Sequence, residues 1–167
     1  MFLSPIELYE KLFALYGPQG WWPVRNGCGA KTREGKFEVC MGAILTQNTS
    51  WIQVEKALNN LFAAEINTPE KILETNSETL ANLITPAGYK NQKTTYLKNI
   101  AEWFIKNYTP YPPNTLPAEH FTGESPKASI PYTLELRDKL LEVKGVGRET
   151  ADSILLYFTP FICPLLL

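Results

Sequence analysis

The stretch LLEVKGVGRETADSILLYF, Leu140 to Phe158, decides the fold, because it predicts a helix, a tight turn and a second helix. The turn is Gly145-Val146-Gly147, and the second helix opens at Arg148, with apolar residues at helical spacing after it. Glycine tolerates positive φ and lets the backbone approach another group closely. A Gly-x-Gly turn at the start of a helix also directs free N–H groups outward at the positive end of the helix dipole, which favours phosphate binding.

Length and charge indicate an ordinary globular protein. The chain has 167 residues, a formal net charge of −1 and a pI of about 5.9. This length suits one core, or two small lobes that share a cleft. The charge argues against a protein that coats nucleic acid through bulk basicity, although a local basic face remains compatible with it. We see no signal peptide and no long apolar run, so we expect a cytoplasmic protein without a membrane partner.

The three cysteines are widely separated. Cys28, Cys40 and Cys163 form no CxxC pair and no iron–sulfur spacing. We therefore expect reduced thiols, no metal site and no cofactor.

Helical periodicity covers most of the chain and predicts an all-α fold. Residues 1–36 indicate an N-terminal helix followed by an aromatic loop, and 37–158 a helical barrel that contains the hairpin at 140–158. The first barrel helix is expected from about Lys36, and a capping box at Ser50-x-x-Gln53 is expected to start the next one. Residues 108–131 hold six of the thirteen prolines, which predicts a loop there and hairpin helices from about Thr133. Residues 159–167 form an atypical apolar tail.

The string VKGVGRETA, Val143 to Ala151, resembles the helix-hairpin-helix of the HhH-GPD superfamily of DNA glycosylases, which includes endonuclease III. The resemblance runs from Trp21 to about Phe158. It implies an all-α fold with an incomplete second lobe, and base-excision repair as the parent function. It also implies a monomer that binds double-stranded DNA with a damaged base, through the turn Gly145 to Gly147 and Arg148, and that lies at the nucleoid when bound.

Two further stretches look like landmarks of the same family. In MGAILTQNTSW, Met41 to Trp51, Gln47 occupies the position of a family Gln that enters the gap left by a flipped base. The alternative is that Gln47 and Asn48 only end one helix and cap the next. In ITPAGYKNQK, Ile84 to Lys93, Lys90 and Lys93 are candidates for phosphate contacts, with a solvated surface as the alternative.

Glu149 bears on the reaction type. Bifunctional members of the family carry a Lys at this position, which attacks the sugar and forms a Schiff base. A carboxylate cannot form an imine, so the resemblance implies a monofunctional glycosylase that hydrolyses only the bond between base and sugar. Alternatively Glu149 is a solvated helix charge, and strand cleavage loses its nucleophile in either case.

The tryptophans bear on the substrate. Trp21-Trp22-Pro23 together with Trp51 is similar to the 3-methyladenine glycosylases of the endonuclease III type. Such a pocket, with Glu149 beside it, suits an alkylated purine, because indole faces attract a delocalised positive charge by about 1–2 kcal/mol. The alternative is that the three tryptophans belong to the core.

One family residue has no counterpart. The family places a catalytic Asp after the hairpin, and that position falls at Leu167, with no acidic residue after Asp152. Asp152 belongs to the hairpin helix and is not its replacement. We therefore expect a fragment or a prematurely ended copy that lacks glycosylase activity. The rivals are a non-catalytic helix-hairpin-helix module that binds DNA and, against the hairpin, a helical interaction domain without a DNA role.

Overall fold

The computed structural model describes residues 3–17, 20–25, 27–28, 32–108 and 129–158, and these residues are almost entirely helical. The all-α prediction is therefore confirmed, with one addition, a two-stranded antiparallel ribbon in the aromatic loop that pairs Pro23 with Cys28. No helix in these ranges has the length and apolar character needed to cross a membrane. The elements are α1 (Pro5–Tyr16), β1 (Pro23–Val24), β2 (Gly27–Cys28), α2 (Arg33–Leu45), α3 (Trp51–Ala63), α4 (Pro69–Glu74), α5 (Ser77–Leu83), a 3-10 turn (Thr85–Ala87), α6 (Lys90–Asn107), α7 (Ser129–Leu141) and α8 (Arg148–Phe158).

Helix α2 is the centre of the core. Burial is unbroken from Phe37 to Leu45, so neighbours surround the helix instead of covering one stripe. It packs against α3, α6 and α8. Burial raises the pKa of the Cys40 thiol on this helix, which fits the expected unreactive thiol.

Helix α6 supplies the opposing wall. Its buried residues Leu97, Ile100 and Phe104 recur at helical spacing, and the Phe104 ring meets the Phe37 ring edge-on at a centroid distance of 5.1 Å. The helix packs against α2, α4 and α5. The first turn of α6 therefore lies on the side of the molecule where α2 ends.

Two predicted boundaries and one predicted capping box are wrong. Helix α2 begins at Arg33, not about Lys36, because the Thr32 hydroxyl accepts the Gly35 N–H at 3.0 Å and caps it. Helix α7 begins at Ser129, not about Thr133, since the first turn of a helix tolerates Pro131. The expected capping box at Ser50 does not form, because its side chain makes no cap hydrogen bond.

Helix α1 lies at the edge of the fold. Ser4 caps it reciprocally with Glu7, but none of its residues is buried by the described residues. The side chains of Ile6, Leu15 and Tyr16 are about 70% exposed, at 70%, 74% and 69%. Residues 109–128, which carry most of the predicted proline-rich loop, and the tail 159–167 with Cys163 lie outside the described residues.

Candidate functional site

A cavity of about 1000 Å³ opens between the aromatic segment, the end of α2, the start of α6 and the hairpin. Four stretches that are far apart in the sequence therefore meet at one place. Three predicted site residues do not line it: Trp51, Lys90 and Val146. The predicted residues that do line it are Trp21, Trp22, Gln47, Lys93, Gly145, Gly147, Arg148 and Glu149.

Three indole rings pack together at one end of the cavity. Trp21 lies 4.8 Å from Trp51 and 5.2 Å from Trp22 between ring centroids, and Trp22 and Trp51 meet edge-on at 5.4 Å. Trp22 is buried and also contacts Tyr157 of α8, whereas Trp21 is 49% exposed. Trp22 therefore belongs to the core and forms the cavity floor at the same time, and Trp21 forms its exposed rim. Trp51 supports both rings from behind.

Gly42 determines how deep Trp22 sits. A Cβ at this position of α2 would lie 2.9 Å from Trp22 Cζ2 and 3.0 Å from its Nε1. Only a residue without a side chain lets the indole rest on the bare helix backbone.

The ribbon that follows the tryptophans is fastened to two helices. The Arg25 N–H donates to the Glu38 carboxylate of α2 at 3.2 Å. The Arg25 guanidinium lies 4.0 Å from the centroid of the Phe62 ring and donates to Asn59, both on α3. Burial raises the pKa of the Glu38 carboxyl, and the Arg25 N–H offsets part of that rise. The sequence analysis missed Glu38, although a charge at a core position of α2 is a usable signal.

The hairpin turn is held by α6. Gly145 has φ +101°, and a Cβ there would come 2.2 Å from Cγ of the Tyr96 ring. Asn99 Nδ2 donates to the Lys144 carbonyl at 3.0 Å. Gly145 is therefore required by its backbone angle and by its contact with Tyr96.

Beyond the turn, Gly147 faces open space, and Arg148 and Glu149 are exposed at the start of α8. No acceptor for the N–H of Gly145 or Gly147 is found among the described residues. Val146 is different: its side chain is buried and its N–H donates to the Val143 carbonyl at 2.9 Å. Neither the side chain nor the N–H of Val146 is therefore free to face outward, and its predicted contact with DNA stays a prediction.

Gln47 reaches the hairpin. Its Nε2 donates to the Gly145 carbonyl at 2.8 Å and to the Thr150 hydroxyl at 3.1 Å. Helix α2 already ends at Leu45, so Gln47 does not simply terminate it. Its predicted insertion into a gap in DNA stays a prediction.

Two exposed residues with positive φ also line the cavity and were given no site role from the sequence. Asn48 has φ 53°, and no partner for its side-chain amide is found among the described residues. Tyr89, across the cavity at the start of α6, has φ 45° and is 67% exposed. A positive φ is unusual for non-glycine residues, and residues with such a strained backbone occur preferentially at functional sites.

The structure corrects the role of Lys93. This residue is only 3% exposed, and its Nζ donates to the carbonyls of Leu45 at 2.8 Å and Ala87 at 2.7 Å. Burial lowers the pKa of its ammonium group. Lys93 therefore joins the end of α2 to the 3-10 turn and does not lie on a surface for phosphates. Its spacing from Leu97 places it on the buried face of α6, a signal available in the sequence.

Asp152 is occupied elsewhere. Its two carboxylate oxygens accept hydrogen bonds from Nε and Nη2 of Arg137 at 2.6 and 3.1 Å. Arg137 lowers the pKa of this carboxyl, and Asp152 does not line the cavity. It joins α8 to α7, as expected of a structural residue of the hairpin.

The comparisons with known proteins identify the family. The sequence family described as HhH-GPD superfamily base excision DNA repair protein matches residues 41–154. A Methanocaldococcus jannaschii protein named as a DNA repair glycosylase is 42% identical over 90% of this chain and 59% of its own length. Endonuclease III of Rickettsia conorii is 27% identical over 89% of this chain and 59% of its own length. The chain thus spans about three fifths of each relative.

One solved structure is similar to this chain over most of its length. It is the crystal structure of the H. pylori 3-methyladenine DNA glycosylase MagIII bound to 1,N6-ethenoadenine, with a TM-score of 0.66 and 29% identity. The match covers 93% of this chain and 65% of that one.

Proposed function

Because the chain belongs to the HhH-GPD superfamily of base excision DNA repair proteins, we propose that it binds duplex DNA as a monomer and receives a flipped, damaged base in its cavity. The observation that carries the proposal is that one cavity brings the tryptophan cluster and the hairpin turn together. A base pocket and a backbone grip must be adjacent, because a flipped nucleotide stays attached to the strand that is held. No cofactor enters the proposal.

The hairpin holds the phosphate backbone. No acceptor for the N–H groups of Gly145 and Gly147 lies among the described residues, and both glycines line the cavity at the start of α8, where the helix dipole favours an anion. Arg148 adds an exposed positive charge at the same place. Such contacts carry no sequence information, so the protein binds any duplex in this way.

The aromatic end of the cavity receives an alkylated purine. Trp21 offers an exposed indole face, and cation–π attraction favours a positively charged ring by about 1–2 kcal/mol. The name and the bound ligand of the H. pylori protein support a modified adenine as the class of base. The turn that contains Gln47 and Asn48 enters the gap which the base leaves.

The chemistry is hydrolysis without strand cleavage. Glu149 lines the cavity where a nucleophilic Lys would be needed, and a carboxylate cannot form an imine. Glu149 is exposed and Asp152 is paired with Arg137, so neither is a fixed carboxylate beside the sugar. We propose that the 167-residue polypeptide binds damaged DNA but releases base at least about 100-fold more slowly than a version extended with a relative's Asp-containing segment.

The test compares three duplexes, undamaged, with an abasic analogue and with 1,N6-ethenoadenine, by fluorescence anisotropy and by base release. We expect tighter binding to both modified duplexes than to the undamaged one, and Trp21→Ala should lower the affinity for the ethenoadenine duplex while leaving that for the abasic analogue unchanged. Equal affinity for all three duplexes contradicts the proposal.

A second candidate is a non-catalytic module that binds DNA, and the absence of a carboxylate other than the exposed Glu149 from the cavity lining among the described residues favours it. It predicts tight binding with no preference for a modified base. The Trp21 variant then binds all three duplexes as the parent does.

A further inference from the structure

The side-chain amide of Gln47 is fully used as a donor inside the protein. Its Nε2 carries two hydrogens, and they go to the Gly145 carbonyl and the Thr150 hydroxyl. Gly145 and Thr150 lie 98 and 103 residues away in the sequence, on the hairpin turn and in the first turn of α8. Gln47 is also half-buried. A side chain that inserts into DNA would first have to give up both bonds.

These bonds act on the part of the hairpin that presents N–H groups. A peptide unit is planar, so its carbonyl and its N–H point in opposite directions. Asn99 holds the carbonyl of Lys144 inward, and the N–H of Gly145 therefore points outward. Gln47 holds the next peptide plane through the Gly145 carbonyl, and the Val146 N–H of that plane donates inside the turn to the Val143 carbonyl. Through Thr150, Gln47 also holds the start of α8, next to Gly147.

The neighbouring residue has the opposite character. Asn48 is exposed at φ 53°, lines the cavity and has no amide partner among the described residues. Of the two amides in this turn, one is bound to the hairpin and the other is available.

We propose that Gln47 is a positioning residue that holds the hairpin turn in its phosphate-binding geometry, while Asn48 is the amide of this turn that faces the DNA. The inference rests on the proposed function, since it concerns how that grip is built. It reverses the assignment that the family resemblance gives to Gln47. Loss of a brace weakens binding to every duplex, whereas loss of a gap-filling amide weakens binding only where a base is missing or flipped.

The experiment uses Gln47→Leu, which keeps the bulk and removes both donors, with Asn48→Ala as the matched control. Affinity is measured for an undamaged duplex and for one with a tetrahydrofuran abasic analogue. Amide hydrogen exchange at residues 145–150 is measured by NMR without DNA. We expect Gln47→Leu to weaken binding to both duplexes by about tenfold and to speed exchange at these residues. Asn48→Ala should lower only the affinity for the abasic duplex.

The inference is overturned if Gln47→Leu leaves hairpin exchange unchanged, or if it removes the preference for the abasic duplex while undamaged binding stays at the parent level. Gln47→Glu covers the case in which the Leu variant does not fold. Its carboxylate can accept a hydrogen bond from the Thr150 hydroxyl, in the reverse direction to the parent's bond, but offers no donor to the Gly145 carbonyl, so faster exchange is expected at the turn and not along α8. If the parent binds no duplex, the proposed function fails, and the exchange data still decide the role of Gln47.

Discussion

The aromatic ring of Tyr96 lies directly against Gly145, so that a Cβ on this glycine would fall 2.2 Å from the ring carbon Cγ. Two residues later, a Cβ on Gly147 would meet no atom within 4 Å. The glycines are equivalent in the sequence, but in the structure Gly145 serves the packing of the turn and Gly147 leaves its outer side open.

Gly145→Ala should therefore destabilise the protein. The substitution combines a φ of +101° with a collision against the ring, and we expect the free energy of unfolding to fall by about 2 kcal/mol or more. Gly147→Ala should stay within about 0.5 kcal/mol of the parent, yet weaken binding to any duplex, because its methyl group obstructs the approach of a phosphate. Urea denaturation and anisotropy measure the two effects. Equal stability of the two variants would contradict the assignment.

Gly42→Ala should disturb the base pocket and not the helix. Alanine favours helix by about 1 kcal/mol over glycine, but its Cβ would press Trp22 toward the cavity. We expect a changed near-ultraviolet circular dichroism spectrum and a lower affinity for ethenoadenine-containing duplex, with undamaged binding unchanged. Adding Trp22→Phe should relieve the collision and restore stability. An unaltered preference for the modified duplex would show that Gly42 does not control the pocket.

The hairpin grip should give a shallow salt dependence. Each phosphate that the protein neutralises contributes about −0.9 to the slope of log affinity against log salt concentration. Arg148→Ala should reduce the slope by roughly one such unit, because Arg148 is the exposed cation at the start of α8. Lys56→Ala, an exposed charge on α3 away from the cavity, is the matched control. If Arg148→Ala and Lys56→Ala changed the salt slope equally, the phosphate contacts would not lie at the start of α8.

Glu149 offers a gain-of-function test. The parent should form no covalent adduct with an abasic duplex in the presence of borohydride, since Glu149 supplies no amine. Glu149→Lys should allow trapping, because this position lines the cavity and is exposed. Glu142→Lys, just before the turn and outside the cavity lining, is the control. A parent adduct mapped to any lysine would refute the monofunctional assignment.

Glu38 should make stability fall as the pH rises. Burial raises the pKa of this carboxyl in the folded protein, so the native state binds more protons than the unfolded state above the unfolded pKa. The protonated carboxyl's contribution to the free energy of unfolding is then lost as the pH rises through the pKa of Glu38 in the folded protein. Glu38→Gln keeps an acceptor for the Arg25 N–H and should flatten this dependence. Urea midpoints between pH 4 and pH 8 test it, and parallel profiles for the two proteins would contradict it.

The parts of the molecule that sequence reasoning predicted are those with local signals. Helical periodicity gave the all-α class, and the Gly-x-Gly string located the hairpin turn that the structure describes at 142–147. The meeting of Trp21 and Trp22 with the hairpin is non-local, and only the family resemblance suggested it.

The parts that sequence reasoning missed depend on distant partners. Nothing near Gln47 indicates that its amide binds a carbonyl 98 residues away. The charge of Lys93 led to a surface assignment, although its helical spacing indicated the buried face of α6. The core tolerates its ammonium group because two backbone carbonyls accept hydrogen bonds from it.

The exposed apolar side chains of α1 have a practical consequence for every variant described above. In the described part of the chain, Ile6 and Leu15 are 70% and 74% exposed, so a dye such as anilinonaphthalene sulfonate would fluoresce on the native state. Dye binding would then report this helix and not a loosened core. The packed indoles of Trp21, Trp22 and Trp51 give a better indicator of folding, because their near-ultraviolet signal depends on the fixed geometry of the three rings.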